Sequence, residues 1–171
     1  LGEIDLSFPS IVGITSLTFG LILTATDGNF FIAFALASAL GMFAGFINGL
    51  LVTQIGIPSI VATIGTLYFW RGLVHVVSQG SGVAIVDVAD GTWHHTLFVE
   101  KLFGLIPAQF IWFIILTGLL QWVYRYHKFG NHIHFVGDNK DSSQMMGINV
   151  DNIKIIAFVQ LGFFSSLAGI F

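Results

Sequence analysis

The chain has 171 residues, 55% of them hydrophobic and 9% charged, with a mean hydropathy of +0.88 and a net charge of −3. A water-soluble domain carries about a quarter charged residues, so this composition argues against one and for a lipid-facing surface. The negative balance offers no basic field for nucleic acid, and with no cysteine the chain has neither disulfides, thiol chemistry nor thiolate metal sites.

In chain order, a polar opening, Gly2-Glu3-Ile4-Asp5-Leu6-Ser7, precedes the first apolar run. Asp5 or Ser7 is placed to cap the helix that follows, a carboxylate being favourable at its positive end. A spanning helix needs about 20 mainly apolar residues to cross a hydrocarbon core roughly 30 Å thick. Residues 8–26 supply the first, closed by the turn signal Thr26-Asp27-Gly28-Asn29, and residues 30–53 the second, without a charge. Gly56-Ile57-Pro58 breaks the pattern before a third, less apolar segment at 59–78 that carries Arg71 and His75. Residues 79–107 read mainly as a loop outside the hydrocarbon, with room for a short interfacial helix. Residues 108–124 span again, and 153–171 begin a further span. The fold class is therefore all-α: a polytopic transmembrane bundle with about five membrane segments, one of them open to being broken or re-entrant. The start at Leu1 and the end at Phe171, inside an apolar run, suggest a partial domain over 1–171 with both ends cut.

The basic residues orient the spans. Of six Lys and Arg, Arg125, Lys128, Lys140 and Lys154 fall between 125 and 154. Cytoplasmic loops retain such an excess, which puts 125–153 inside and 79–107 outside. Within the second span, Ala37, Gly41, Gly45 and Gly49 recur every four residues. That spacing makes one smooth helix face where another backbone can approach, the kind of packing that membrane helices rely on.

Polar residues at membrane depth are costly and tend to be functional. Asn48, Thr63, Thr66 and Arg71 are the candidates here, Arg71 standing equally for a headgroup contact. Phe69 and Trp70 could stack on a flat solute face, although a lipid- or bundle-facing role is the commoner use of such rings. In the loop Phe129 to Val150, residues Asp138 to Met146 suit a short helix with Gly147 at its end. Exposed Met145 and Met146 beside Lys140, Asp141 and Gln144 suit docking to a soluble partner.

Three segments, taken in order, resemble the permease family of ribose-type monosaccharide ABC importers. They are Gly2 to Ser7; Ile47-Asn48-Gly49-Leu50-Leu51-Val52 with Gly56-Ile57-Pro58 and Thr63-Ile64-Gly65-Thr66; and Val136-Gly137-Asp138-Asn139 with Met146-Gly147-Ile148-Asn149-Val150. The chain departs from the family's usual residues at Glu3, Phe8-Pro9, Ile64, Asp138 and Met146, the first standing where glycine is usual. The resemblance implies two permease subunits, a homodimer, around one pathway in the bacterial inner membrane, with a separate ATPase that binds the ATP and a periplasmic sugar-binding protein. It implies no catalysis and no cofactor in this chain. It makes 129–150 the ATPase-coupling loop, with Gly137, Asp138, Asn139, Lys140, Asp141, Gln144, Met145, Met146 and Gly147 as the coupling segment. Asn48, Thr63, Thr66 and Arg71 would line the pathway, and Ala37, Gly41, Gly45 and Gly49 would pack helices. The solute would be a ribose-like sugar, or else another small polar solute such as a sugar-derived signal or an amino acid.

Two other classes compete. A membrane metalloenzyme could draw on His94-His95 with Asp87, Asp90 and Glu100, but adjacent histidines diverge and the His-Glu-x-x-His spacing is missing. An ion-driven carrier or channel would place carboxylates inside its spans, whereas the acidic residues here sit at span ends and in loops. No Gly-rich loop ending in Gly-Lys-Ser/Thr is present, so ATP would be hydrolysed elsewhere.

Overall fold

Pro9 in the first turn, where its missing N–H is no loss, starts helix α1 (Phe8–Ala25). The turn after it closes on a Gly28 N–H donated to the Leu23 carbonyl at 2.9 Å. Asn29 then caps α2 (Phe30–Thr53), its side chain accepting the Ile32 N–H at 3.2 Å. Gly56, at φ +79°, turns the chain out of α2, and Pro58 opens α3 (Ser59–Ser78). The break at Gly56-Ile57-Pro58 thus joins two uninterrupted helices and does not divide a span. After α3 come α4 (Val86–Ala89), α5 (Trp93–Phe98) and a small antiparallel pair, β1 (Lys101–Leu102) and β2 (Ile106–Pro107), in register Lys101 to Pro107. Helices α6 (Ala108–Tyr126), α7 (Lys128–Asp138), α8 (Lys140–Met145) and α9 (Val150–Ile170) complete the chain. This computed structural model describes residues 1–102 and 104–171, with Val86, Asp87 and Leu102 described by backbone alone.

Helices α1, α2, α3 and α9 are long and apolar enough to cross a membrane. Helix α6 has 19 residues but includes Gln109, Gln121 and Arg125, and it is not among those four. Hydroxyls inside the apolar helices are satisfied by the carbonyl one turn back: Thr15 to Ile11, Thr18 to Ile14 and Ser165 to Leu161, at 2.7–2.8 Å. Large apolar side chains such as Phe31, Phe43 and Phe113 stay exposed, as lipid contact allows.

The chain forms two compact units. One comprises Glu3–Ala89 with Lys154–Ile170. Its centre is Ile11, Ile14, Ala44 and Trp70, with Leu17, Leu40 and Ile47 packed around them. Trp70 is therefore a bundle residue, 4% exposed, while its neighbour Phe69 faces outward at 60%. The other unit comprises Leu1–Gly2, Asp90–Ile153 and Phe171. In it Phe98 stacks on Phe171 at 4.9 Å between centroids, and the Trp112 indole donates to the Leu97 carbonyl at 3.1 Å.

The 129–150 stretch, expected as a loop with one short helix, holds two helices. Phe129, Ile133 and Val136 lie on one face of α7 and pack with Val150 and Ile153, a one-sided pattern that makes a surface helix. Gly130 lets the chain double back after α6, since a Cβ there would lie 2.1 Å from the Tyr124 carbonyl oxygen.

Candidate functional site

The polar residues of the opening segment and of α2 and α3 meet in one buried knot. Asn48 is fully buried. Its amide nitrogen donates to Ser7 Oγ at 2.8 Å and to Asp5 Oδ2 at 3.2 Å, and its amide oxygen accepts from Thr66 Oγ1 at 2.7 Å. This orientation of the amide is the one that satisfies all three neighbours, because Asp5 can only accept. Asp5 Oδ1 takes both the backbone N–H and the hydroxyl of Ser7, at 2.7 and 2.6 Å. Neither Asp5 nor Ser7 caps α1 by its side chain, contrary to the sequence expectation. Both are turned toward Asn48, whose buried amide nitrogen they supply with acceptors.

Residues 4–7 enter the membrane region without helical hydrogen bonds of their own at 4 and 6, and α3 supplies what they lack. Ser59 Oγ accepts the Ile4 N–H at 3.2 Å and Thr63 Oγ1 accepts the Leu6 N–H at 3.1 Å. The alternation 4 then 6 matches the one-turn spacing 59 then 63. Irregular backbone at membrane depth persists only where protein groups satisfy it in this way. Asn48, Thr63 and Thr66 are thus brought together, at 0%, 0% and 9% exposure. Replacing Asn48 by leucine should cost about 2–4 kcal/mol, since Asp5, Ser7 and Thr66 each lose a buried partner at once. Thr66→Val, which strands only the Asn48 oxygen, should cost about 1–2 kcal/mol. Thermal midpoints of the purified variants in detergent measure both.

Arg71 stands apart from the knot. It lines a cleft of about 350 Å³ between α1 and α3, together with His75, Leu67, Val74, Pro9, Ser10 and Gly13.

The small-residue face of α2 lies against α9. A Cβ at Gly41 would meet the Gly162 carbonyl oxygen at 2.6 Å, at Gly45 the Phe158 carbonyl oxygen at 2.2 Å, and at Gly49 the Ile155 Cα at 2.9 Å. Ala37, fully buried, continues the stripe. At the start of α9, Lys154 forms an ion pair with Glu3, their side chains 9% and 17% exposed. Nothing in the sequence pointed to this pairing, 151 positions apart.

Across Gly137 to Gly147, Asp138 ends α7, and Asn139 separates it from α8. Asn139 adopts an extended conformation, donates its N–H to the Phe135 carbonyl and accepts the Ser142 N–H at 3.0 Å, so it closes one helix and caps the next. The short helix consequently begins at Lys140, two residues after Asp138. Ser143 is buried against the Asn139 carbonyl, while Lys140, Asp141, Gln144, Met145 and Met146 face outward, the methionines at 88% and 60%. Gly147, at φ +81°, ends the turn.

In the 79–107 region, His94 Nε2 lies 3.0 Å from Thr92 Oγ1 and His95 Nδ1 3.7 Å from Glu100 Oε1. Burial, with His95 next to it, holds His94 below the ordinary histidine pKa. Among the described residues no group of three or more His, Asp or Glu is placed to hold a metal ion; the Asp87 side chain lies outside them.

The chain is similar, at 36% identity over 98% of its length, to an autoinducer 2 import system permease protein LsrC of Yersinia pseudotuberculosis serotype O:3. It is 35% identical to the same protein of serotype O:1b and 34% identical to that of Yersinia pestis strain Pestoides F, again over 98% of the chain. In each case it covers 46% of the relative, so it spans about half the length of the curated relatives it matches. No solved structure matches. The family described as the branched-chain amino acid transport system permease component matches residues 1–171, and the chain, a multi-pass membrane protein, belongs to that permease family.

Proposed function

We propose that this chain is part of the membrane subunit of an ATP-driven importer for a monosaccharide or a sugar-derived signal. The observation that carries the reading is the permease-family match along all 171 residues. The likeness to autoinducer 2 import permeases favours the signal molecule over ribose. The chain would act mechanically: a separate ATPase binds and hydrolyses ATP, a periplasmic binding protein delivers the solute, and a second permease copy completes the pathway.

In this reading 125–153 faces the cytoplasm and Gly137 to Gly147 meets the ATPase. Support comes from α8, which stands on a hydrogen-bonded and packed base (Asn139, Ser143 and the α7 cluster) and holds two methionines outward. Such a base transmits a push, and the methionines adapt to a partner groove. Asn48, Thr63 and Thr66 would serve the pathway by fixing the wall formed by residues 3–7, α2 and α3. Closure of the ATPase pair need shift the permease equilibrium by only a few kcal/mol to switch access.

Met145→Glu together with Met146→Glu, made in the full transporter, should lower ATP-driven uptake by more than tenfold, because a methionine that becomes buried on docking contributes about 1.5–3 kcal/mol. Assembly of the permease itself should be unaffected. Uptake of labelled autoinducer 2 and of labelled ribose into proteoliposomes, with and without ATP, tests both parts. Undiminished uptake in the double variant would remove the docking role of α8, and ATP-independent uptake would remove the importer reading.

A further inference from the structure

We propose that the cleft between α1 and α3 binds an oxyanion of the phosphate type, held by Arg71 and His75. The two residues are one turn apart on α3 and both line the cleft, whose remaining walls are Pro9, Gly13, Leu67 and Val74, with Ser10. No carboxylate is among the lining residues. The Ser10 hydroxyl is already donated to the Ser7 carbonyl at 2.7 Å, so among the lining residues Arg71 and His75 bring the remaining polar side chains, a guanidinium and an imidazole.

Arg71 is exposed, and because it lies inside a membrane-length helix its charge is costly there without a counter-ion. It precedes the last residue of α3 by seven positions, about 10 Å along the axis at 1.5 Å per residue. Side chains on a helix lean toward its N-terminus, which for Arg71 means away from the nearer interface, so snorkelling to that interface works against the geometry. The other cation in a membrane-length helix of this unit, Lys154, has its carboxylate in Glu3. Arg71 has no acidic partner among the described residues of its cleft. A guanidinium fork matches the paired oxygens of a phosphate, and about 350 Å³ accommodates that group with a small attached moiety.

The inference stands apart from the importer reading, since it concerns binding and not transport. The phosphate could belong to a solute from water or to an anionic lipid, and two arms separate these. In the first, the full transporter in phosphatidylcholine nanodiscs is titrated with inorganic phosphate against chloride at matched ionic strength, reading the unfolding temperature. In the second, nanodiscs mixing phosphatidylglycerol with phosphatidylcholine are analysed by native mass spectrometry for retained lipid. At least one arm should show a preference, for phosphate over chloride or for anionic phosphatidylglycerol over zwitterionic phosphatidylcholine, that Arg71→Gln weakens about tenfold or more and Arg71→Lys weakens less. A response to phosphate alone assigns the site to a solute, and retention of phosphatidylglycerol alone assigns it to lipid. Should Arg71→Gln not fold, His75→Gln gives the same reading with a smaller loss. Equal behaviour of wild type and variants in both arms, or an unresponsive wild type, overturns the proposal.

Discussion

Gly45→Leu is expected to keep α2 and α9 from closing on each other and to remove most folded protein from the membrane. A Cβ at this position would stand 2.2 Å from the Phe158 carbonyl oxygen and 2.8 Å from its carbon. The approach is reciprocal, for a Cβ at Gly162 would stand 2.1 Å from the Gly41 carbonyl oxygen. Overfilling a core costs about 1–3 kcal/mol when side chains can move aside. Here the colliding atoms are backbone, so the helices themselves must separate and the loss should exceed about 4 kcal/mol. In lipid no hydrophobic effect restores the contact at a larger separation. Gly65→Ala is the control: it lies within α3, nothing stands within 4 Å of its Cβ position, and the change should be neutral or stabilising by up to about 1 kcal/mol. Size-exclusion profiles and thermal midpoints in detergent compare the two. A Gly45→Leu protein with the wild-type profile would mean that α2 and α9 do not meet as described.

What the sequence made legible follows from which signals are local. Helices α1, α2, α3 and α9 were readable because about 20 apolar residues have few other uses, and their ends because Thr26-Asp27-Gly28-Asn29 and Gly56-Ile57-Pro58 are turn chemistry. The face each helix turns to lipid was not readable. Exposed Phe31 and Phe43 are as apolar as buried Ile11 and Leu23, so no amphipathic stripe separates them. The small-residue stripe of α2 could be seen, but not that its partner is α9. Helix α7 was missed although Phe129, Ile133 and Val136 mark its inner face, because the glycines and histidines between them read as loop. Asn48, Thr63 and Thr66 stood out as polar residues in apolar runs. Their junction with Asp5 and Ser7 did not, because those partners lie 43 and 41 positions from Asn48 and helix-capping offered a sufficient local use for both.

Lys154→Met is expected to destabilise the protein by about 3–5 kcal/mol, and Glu3→Gln added to it to restore much of that loss. Removing one member of a buried pair leaves the other charge desolvated and unpaired, whereas removing both leaves no charge to solvate. With side chains 9% and 17% exposed, the pair is sheltered from salt, so the loss should change little with ionic strength. The carboxylate at position 3 thus has a cation on α9 to meet. The effect of the pairing should extend beyond the two residues. Glu3 immediately precedes the stretch whose Ile4 and Leu6 N–H groups rest on Ser59 and Thr63 and whose Asp5 holds Asn48, so a Glu3 that has lost Lys154 pulls toward water the segment that closes the polar knot. A double-mutant cycle read from thermal midpoints should therefore give a coupling energy of at least about 2 kcal/mol. Additive losses would show instead that segment 3–7 holds its place through the knot alone.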